Sequence, residues 1–223
     1  LLDKLGAPVN GAMNWSNGFM PASYQGVPFR SSAEPIAYLT PPKNVSATQQ
    51  RARLDLLKQW NAEYAAANPQ ETALAARLNA YELAYRMQME AADAFDVTQE
   101  PAHIRAMYGE GVHGRQTLIA RRLLERGVRM VQLWHGAGQP WDNHDNIETN
   151  HRKLAAQIDQ PIAALLKDLQ ARGLLDDTLI VWTTEFGRMP FSQGSVGRDH
   201  NGGTFVSWFA GAGIKAGRSE ERR

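Results

Sequence analysis

Asp176-Asp177-Thr178-Leu179-Ile180-Val181-Trp182-Thr183 is the stretch on which the fold class turns. A polar pair feeds a nearly continuous apolar run, the composition of a strand buried on both faces. Just before it, residues 149–172 carry Ile158, Ile162, Leu165, Leu166 and Leu169 on one face of a helical period, and Gly173 stands where a helix stops. Further upstream, Val128-Arg129-Met130-Val131-Gln132-Leu133-Trp134 is a short β-branched run bounded by Gly127 and by a His/Gly/Pro turn, which predicts a strand. Strand, long helix, strand is the pattern of a right-handed βαβ crossover. Thr204 to Ala210 supplies a third strand that ends in Gly211-Ala212-Gly213. The expectation is α/β: 128–134, 178–183 and 204–210 in one sheet, with the 149–172 helix on its face.

The rest of the chain has a different texture. Residues 1–45 are rich in Gly, Pro, Asn and Ser, and Trp15, Phe19, Met20, Tyr24, Phe29 and Tyr38 are scattered without period. So long a stretch without a regular element reads as an irregular segment pinned to a surface by its aromatics, with a substrate-binding loop as the alternative. Residues 46–126 read as helical. Ser46 or Thr48 can cap a helix bearing Leu54, Leu57 and Trp60, ended by Asn68-Pro69. Glu71 to Met89 carries Leu74, Leu78, Tyr81, Leu83, Tyr85 and Met87 on an alanine-rich backbone. Pro101 and a Tyr108-Gly109-Glu110-Gly111 turn precede a third helix, Arg115 to Arg126, with Leu118, Leu123 and Leu124 inward. Residues 127–223 form the α/β part.

Composition removes several function classes. The chain has 223 residues, 43% of them hydrophobic, which fits one large domain or two small ones with a core that needs no staples. Lys plus Arg is 24 against 23 for Asp plus Glu, so the basic excess of a nucleic-acid or membrane-surface protein is missing. No apolar run approaches the ~18 residues of a spanning helix. There is no Cys, which excludes disulfides, thiolate metal ligands and a cysteine nucleophile. No Gly-x-Gly-x-x-Gly or phosphate-loop signature joins a strand to a helix, so nucleotide binding is a poor reading. Leu1 opens the chain and a polar run, Arg218 to Arg223, closes it; the expectation is a piece of a longer protein, with any targeting segment upstream.

Chemistry-bearing residues cluster at the carboxyl ends of the expected strands, where open α/β sheets place ligands. Trp141-Asp142-Asn143-His144-Asp145-Asn146 follows the first, Thr184-Glu185-Phe186-Gly187-Arg188 the second, and Gly197-Arg198-Asp199-His200-Asn201 precedes the third. Carboxylate oxygens and neutral imidazole nitrogens are the usual ligands of divalent ions. Asp142 and His144, two apart on extended backbone, point to one side. Trp141 and Phe186 supply apolar walls. Against this, Asp-x-His in a turn is often plain hydrogen bonding, Glu185 could cap a following helix, and Arg188 and Arg198 could be surface ion pairs. His135 reads equally as a ligand or a structural histidine, while His103, His113 and His151 read as structural.

Leu123-Leu124-Glu125-Arg126-Gly127-Val128-Arg129, Asp159-Gln160-Pro161-Ile162, Arg172-Gly173-Leu174-Leu175-Asp176-Asp177-Thr178 and the helical Tyr81-Glu82-Leu83-Ala84-Tyr85-Arg86-Met87-Gln88, taken in order with the acid/His motifs, closely resemble the bacterial DUF1501 family, a sulfatase-like group of the alkaline-phosphatase superfamily. The resemblance implies an alkaline-phosphatase-like sheet with flanking helices, and a divalent metal ion (zinc, calcium or magnesium). It implies Asp142 and His144 as a ligand pair, Glu185 as the acid after the central strand, and His200 as the late metal histidine. The superfamily's first metal aspartate, its nucleophile and a family export signal belong upstream of Leu1, so the resemblance also implies an extracytoplasmic protein of which this chain is an incomplete part. Superfamily hydrolases often carry Asp-His or Asp-Asn where this chain has Glu185-Phe186. Phenylalanine binds no metal, so either one ion is held differently or only one site is kept.

The expected activity is metal-dependent hydrolysis of sulfate or phosphate esters, the ion activating a hydroxyl or water and neutralising charge on the transferred group. Arg188, Arg198 and Asp199 are the expected contacts of a small anionic ester, the two arginines through planar forks. Thr183 and Thr184 adjoin Glu185, but an unactivated hydroxyl is unreactive, and both read as structural. The competing expectation is a secreted binding or scaffold protein that keeps the α/β fold and a structural ion without turnover.

Overall fold

Ser46, the first of the two cap candidates, opens helix α1 (Ala47–Ala67) with a capping box. Its hydroxyl accepts from the Gln49 backbone N–H at 3.2 Å, and the Gln49 side chain accepts from the Ser46 N–H at 3.0 Å. Asn68 closes the helix, its backbone N–H reaching the Tyr64 carbonyl at 3.0 Å. The computed structural model describes residues 6–21, 24–30, 44–68, 74, 78, 81, 82, 85, 92–194 and 196–218. The chain divides into two compact units, Leu1–Pro101 with Arg122–Gln139, and Ala102–Arg121 with Pro140–Arg223.

In the first unit, Leu54, Leu57 and Asn61 of α1 form one stripe and line an apolar groove with Leu74, Leu78 and Tyr81, which like Glu82 and Tyr85 are helical. Trp60 falls one position off that stripe and is 65% exposed. Leu83 and Met87 of the second expected helix lie outside the described residues, as does Tyr38. Arg51 joins Asp55 and Glu82, and its guanidinium stacks over Tyr85 at 5.0 Å. Deeper in this unit Phe95 packs edge-on against Phe29 at 5.4 Å. Beside it, buried Arg122 pairs with Glu100 and donates to the Ala94 and Asp93 carbonyls at 3.0 and 2.7 Å.

Among the described residues of the N-terminal stretch, Gly11–Trp15 form a single 3-10 turn, and Phe29 is tied to Phe95 as the pinning expectation has it, whereas other aromatics face outward. Phe19 is fully exposed and Tyr24 is 65% exposed. Local polar bonds hold the chain as well: Asn14 donates to the Val9 and Gly11 carbonyls, Gly26 N–H to the Trp15 carbonyl, and Pro8 bridges Gly138.

The second unit is built on α2 (Ala102–Tyr108), α3 (Val112–Glu125, of which the residues to Arg121 belong here) and α4 (Ile147–Ala171). Tyr108, Leu118, Ile119, Ala120, Ala164, Leu165 and Leu169 are among its buried apolar residues. Among them lies a polar knot. Asp168, 3% exposed, accepts from Tyr108 Oη at 3.0 Å and Arg172 Nε at 2.7 Å, and pairs with Arg121 Nε at 3.0 Å. Burial, then the Asp168 charge, drives the Tyr108 phenol far above its usual range. Gln160 of α4 donates to the Ala106 and Met107 carbonyls, closing the end of α2, which stops at Gly109 with φ +82°. Gly173, φ +70°, ends α4 as read.

Four short strands follow: β1 (Ile180–Thr183), β2 (Gly187–Arg188), β3 (His200–Asn201) and β4 (Ser207–Ala210). The chain is therefore mixed α/β, but its sheets differ from the expected one. β1 pairs antiparallel with β4 in the register Ile180↔Ala210 to Thr183↔Ser207, and β2 pairs antiparallel with β3. Residues 128–134 are not a strand. The Val128 N–H is spent on the Leu123 carbonyl in closing α3, Met130 is 81% exposed, and no ladder forms on this run among the described residues, so its β-branched composition finds no pleated surface to fit. The parallel crossover is accordingly not formed. β1 is also half-buried, with Val181 and its register partner Phe209 each about half exposed, because a two-stranded ribbon covers only one face. The Gly211 turn after β4 answers to packing: a Cβ there would stand 2.2 Å from the Thr178 carbonyl oxygen.

Two expectations follow for the polar knot. Asp168→Ala removes the carboxylate that buried Arg121 pairs with and should lower stability by about 3–5 kcal/mol in urea unfolding, against roughly 0–1 kcal/mol for loss of the exposed Arg152–Glu148 pair. For Tyr108 the fold favours the neutral phenol. Its contribution is whole below the ordinary tyrosine pKa of ~10 and is lost as pH rises through the raised folded value. In an alkaline absorbance titration one tyrosine should ionise only with unfolding, and Tyr108→Phe should remove that late step.

Candidate metal centre

The β2–β3 pairing places Arg188 directly opposite His200, so both side chains leave the same face of the ribbon. The loop 141–146 is brought to them by two backbone hydrogen bonds, Arg198 N–H to the Asn143 carbonyl at 3.1 Å and Ile147 N–H to the Val196 carbonyl at 3.0 Å. Ser192 Oγ adds a third tie, to the His144 carbonyl at 3.1 Å. Gly197 permits this approach, since a Cβ on it would sit 2.0 Å from the His144 carbonyl carbon and oxygen. From α4, His151 Nε2 meets the Trp141 carbonyl at 3.1 Å and its ring packs edge-on against the Trp141 indole, steadying the start of the loop.

The result is a triangle of donor atoms. Asp142 Oδ1 lies 2.8 Å from His200 Nε2 and 3.2 Å from His144 Nε2, and the two imidazole nitrogens are 3.1 Å apart. Two nitrogen donors and one carboxylate oxygen are a ligand set for a divalent ion with an open position. With bonds of 2.0–2.1 Å, ligands of a tetrahedral ion stand about 3.3 Å apart, so the triangle fits after opening by a few tenths of an ångström. The two imidazoles are nearly half exposed, which leaves the centre reachable from solvent.

The other expected site residues surround this triangle. Arg188 Nη1 binds Asp142 Oδ1 at 2.6 Å, and its Nη2 is 3.4 Å from Glu185 Oε1. Glu185 is thus placed on the guanidinium, outside the donor triangle, and its side chain is largely exposed. Arg198 donates to the Gly197 carbonyl at 2.7 Å. Asp199 Oδ1 meets His144 Nδ1 at 2.9 Å, and Oδ2 accepts from the Gln193 N–H at 2.8 Å. Phe186 forms the expected wall, its ring 4.5 Å from His200 and 5.3 Å from the Arg188 guanidinium. Thr183 and Thr184 face the β4 side, bonding Ser207 Oγ and the Val206 carbonyl, as structural residues do. His135 belongs to the first unit and is not in the triangle.

Electrostatics keep both aspartates ionised. Burial pushes the Asp142 carboxyl up, but hydrogen bonds from Arg188 and His200 outweigh it and hold the group below the usual carboxylate range. Asp199 is lowered chiefly by the His144 hydrogen bond, then by the Gln193 N–H. The supporting roles of Ser192, Gly197 and His151 are not flagged by any motif; only the glycine beside Arg198-Asp199-His200 hints at a close backbone approach.

No curated protein and no solved structure gives a significant match to the chain. The family comparison does: residues 1–220 match the family described as protein of unknown function DUF1501, and the chain belongs to that family.

Proposed function

We propose that the chain carries the ion-binding and anion-binding groups of a metal-dependent hydrolase acting on sulfate or phosphate esters, of the sulfatase-like, alkaline-phosphatase type. The observation that carries this reading is the Asp142–His144–His200 triangle with Arg188 bound to Asp142 and Arg198 two residues before His200. A divalent ion bound there supplies Lewis acidity toward sulfuryl or phosphoryl oxygens. The chain's own residues do the rest. Asp142, His144 and His200 hold the ion. Arg198, which meets no carboxylate among the described residues, presents its planar fork to the substrate anion, and Arg188 orients Asp142 while adding a fixed positive charge. Two imidazole nitrogens favour a borderline ion such as zinc or cobalt over magnesium or calcium, which prefer all-oxygen sites. Glu185, neutralising Arg188, tunes that charge and is not needed as a ligand.

A second reading keeps the ion as a structural element without turnover. The Phe186 ring favours it, because an apolar group packed on His200 and Arg188 occupies the ground where a further ligand would stand.

Direct titration should find a single zinc or cobalt ion per chain, displaced by chelator and not replaced by magnesium. His200→Ala should weaken binding by at least the roughly 10–100-fold that losing a mere supporting partner costs. In a panel of chromogenic sulfate and phosphate esters, Arg198→Ala should leave ion content intact and raise KM. If His200→Ala lowers the melting temperature and ion content while no ester is turned over by any form, the structural reading replaces the catalytic one. Failure of the parent chain to bind either ion sinks both.

A further inference from the structure

Asp199 was expected among the substrate contacts, and its surroundings assign it other work. Both carboxylate oxygens are engaged: Oδ1 with His144 Nδ1 at 2.9 Å and Oδ2 with the Gln193 N–H at 2.8 Å. The backbone on either side of the group is tied as well. Its N–H donates to the Phe191 carbonyl at 3.1 Å, and its carbonyl accepts from the Met189 N–H at 2.8 Å. Three bonds besides the one to His144 thus hold the residue, one on the carboxylate and two on its backbone, so the imidazole conforms to the carboxylate.

We propose that Asp199 is a positioning residue that locks His144 in the tautomer protonated at Nδ1 and so aims its Nε2 lone pair into the triangle with Asp142 and His200. An ionised carboxylate only accepts, so the proton between Asp199 and His144 belongs to Nδ1. In the neutral ring Nε2 then carries the lone pair. That nitrogen stands 3.1 Å from His200 Nε2 and 3.2 Å from Asp142 Oδ1, at the corner where an ion requires an unprotonated donor. Without the carboxylate, the ring is free to turn about its side-chain bonds or to move its proton to Nε2, and either change removes the donor. The proposal rests on reading the triangle as an ion site. It adds that the site's affinity is set as much by a residue that never touches the ion as by the three that do.

The test uses the whole chain with Asp199→Ala and Asp199→Asn, read in two ways. Competition titration with zinc and cobalt should show a 10–100-fold weaker site in Asp199→Ala, the range associated with loss of a carboxylate that orients a ligating imidazole. Asp199→Asn, which keeps an oxygen acceptor for the Nδ1 proton, should recover part of that loss. Nitrogen-15 long-range correlation spectra of the ion-free protein should show His144 protonated at Nδ1 in the parent and shifted toward Nε2 in Asp199→Ala. A purely structural role would not move the tautomer. Zinc affinity within twofold of the parent in a folded Asp199→Ala protein, or a parent His144 already protonated at Nε2, overturns the proposal. If the parent binds neither ion, the ion-site reading fails, and the tautomer spectra still decide what Asp199 does.

Discussion

A single oxygen, Asp142 Oδ1, receives three partners: the Arg188 guanidinium at 2.6 Å and the His200 and His144 imidazoles at 2.8 and 3.2 Å. Arg188 comes from β2, His200 from β3 and His144 from the loop that carries Asp142 itself, so three segments of the second unit converge on that point. The arrangement is electrostatically sensible, because partial burial would otherwise work against the ionised form of the carboxyl. It also means the positive charge near Asp142 is already partly supplied by protein. An incoming cation meets a carboxylate shared with arginine, which lowers its pull.

The same unit holds a second carboxylate at the centre of three partners, and the comparison clarifies what makes a site. Asp168 is bound by Tyr108, Arg121 and Arg172, but it is 3% exposed and its arginine and tyrosine partners Arg121 and Tyr108 are buried with it. Charges so enclosed specify how α2, α3 and α4 pack and have no route to a ligand. At Asp142 the neighbouring imidazoles face water. Accessibility of the donors, more than the number of contacts, separates a centre that can exchange a ligand from one that holds helices together.

Much of this was visible in sequence, for identifiable reasons. Ser46 and Gly173 marked helix ends because capping chemistry is local, and the 149–172 period survives because one helix face is enough to define it. Asp142 and His144 were expected to point together because a two-residue spacing on extended backbone allows little else, and His200 joins them. What could not be read locally depends on pairing. Whether 128–134 becomes a strand turns on the presence of a neighbour, and the antiparallel register that sets Arg188 across from His200 involves residues twelve apart with no shared motif. For Glu185 and Asp199 the residue types marked the neighbourhood. Their partners, Arg188 for one and His144 for the other, were hidden until the loops were placed.

Gly197 shows how much of the centre is built from an absent atom. The backbone there lies so close to His144 that even one methyl group has no room, and the bonds from Arg198 to Asn143 and from Ile147 to Val196 flank the contact. A missense change at this codon therefore disturbs the Asp142–His144–His200 triangle from a distance. It leaves Asp142, His144 and His200 chemically intact while prising their loops apart. In a screen for loss of function, Gly197 belongs with the donor residues, although it has no side chain to offer.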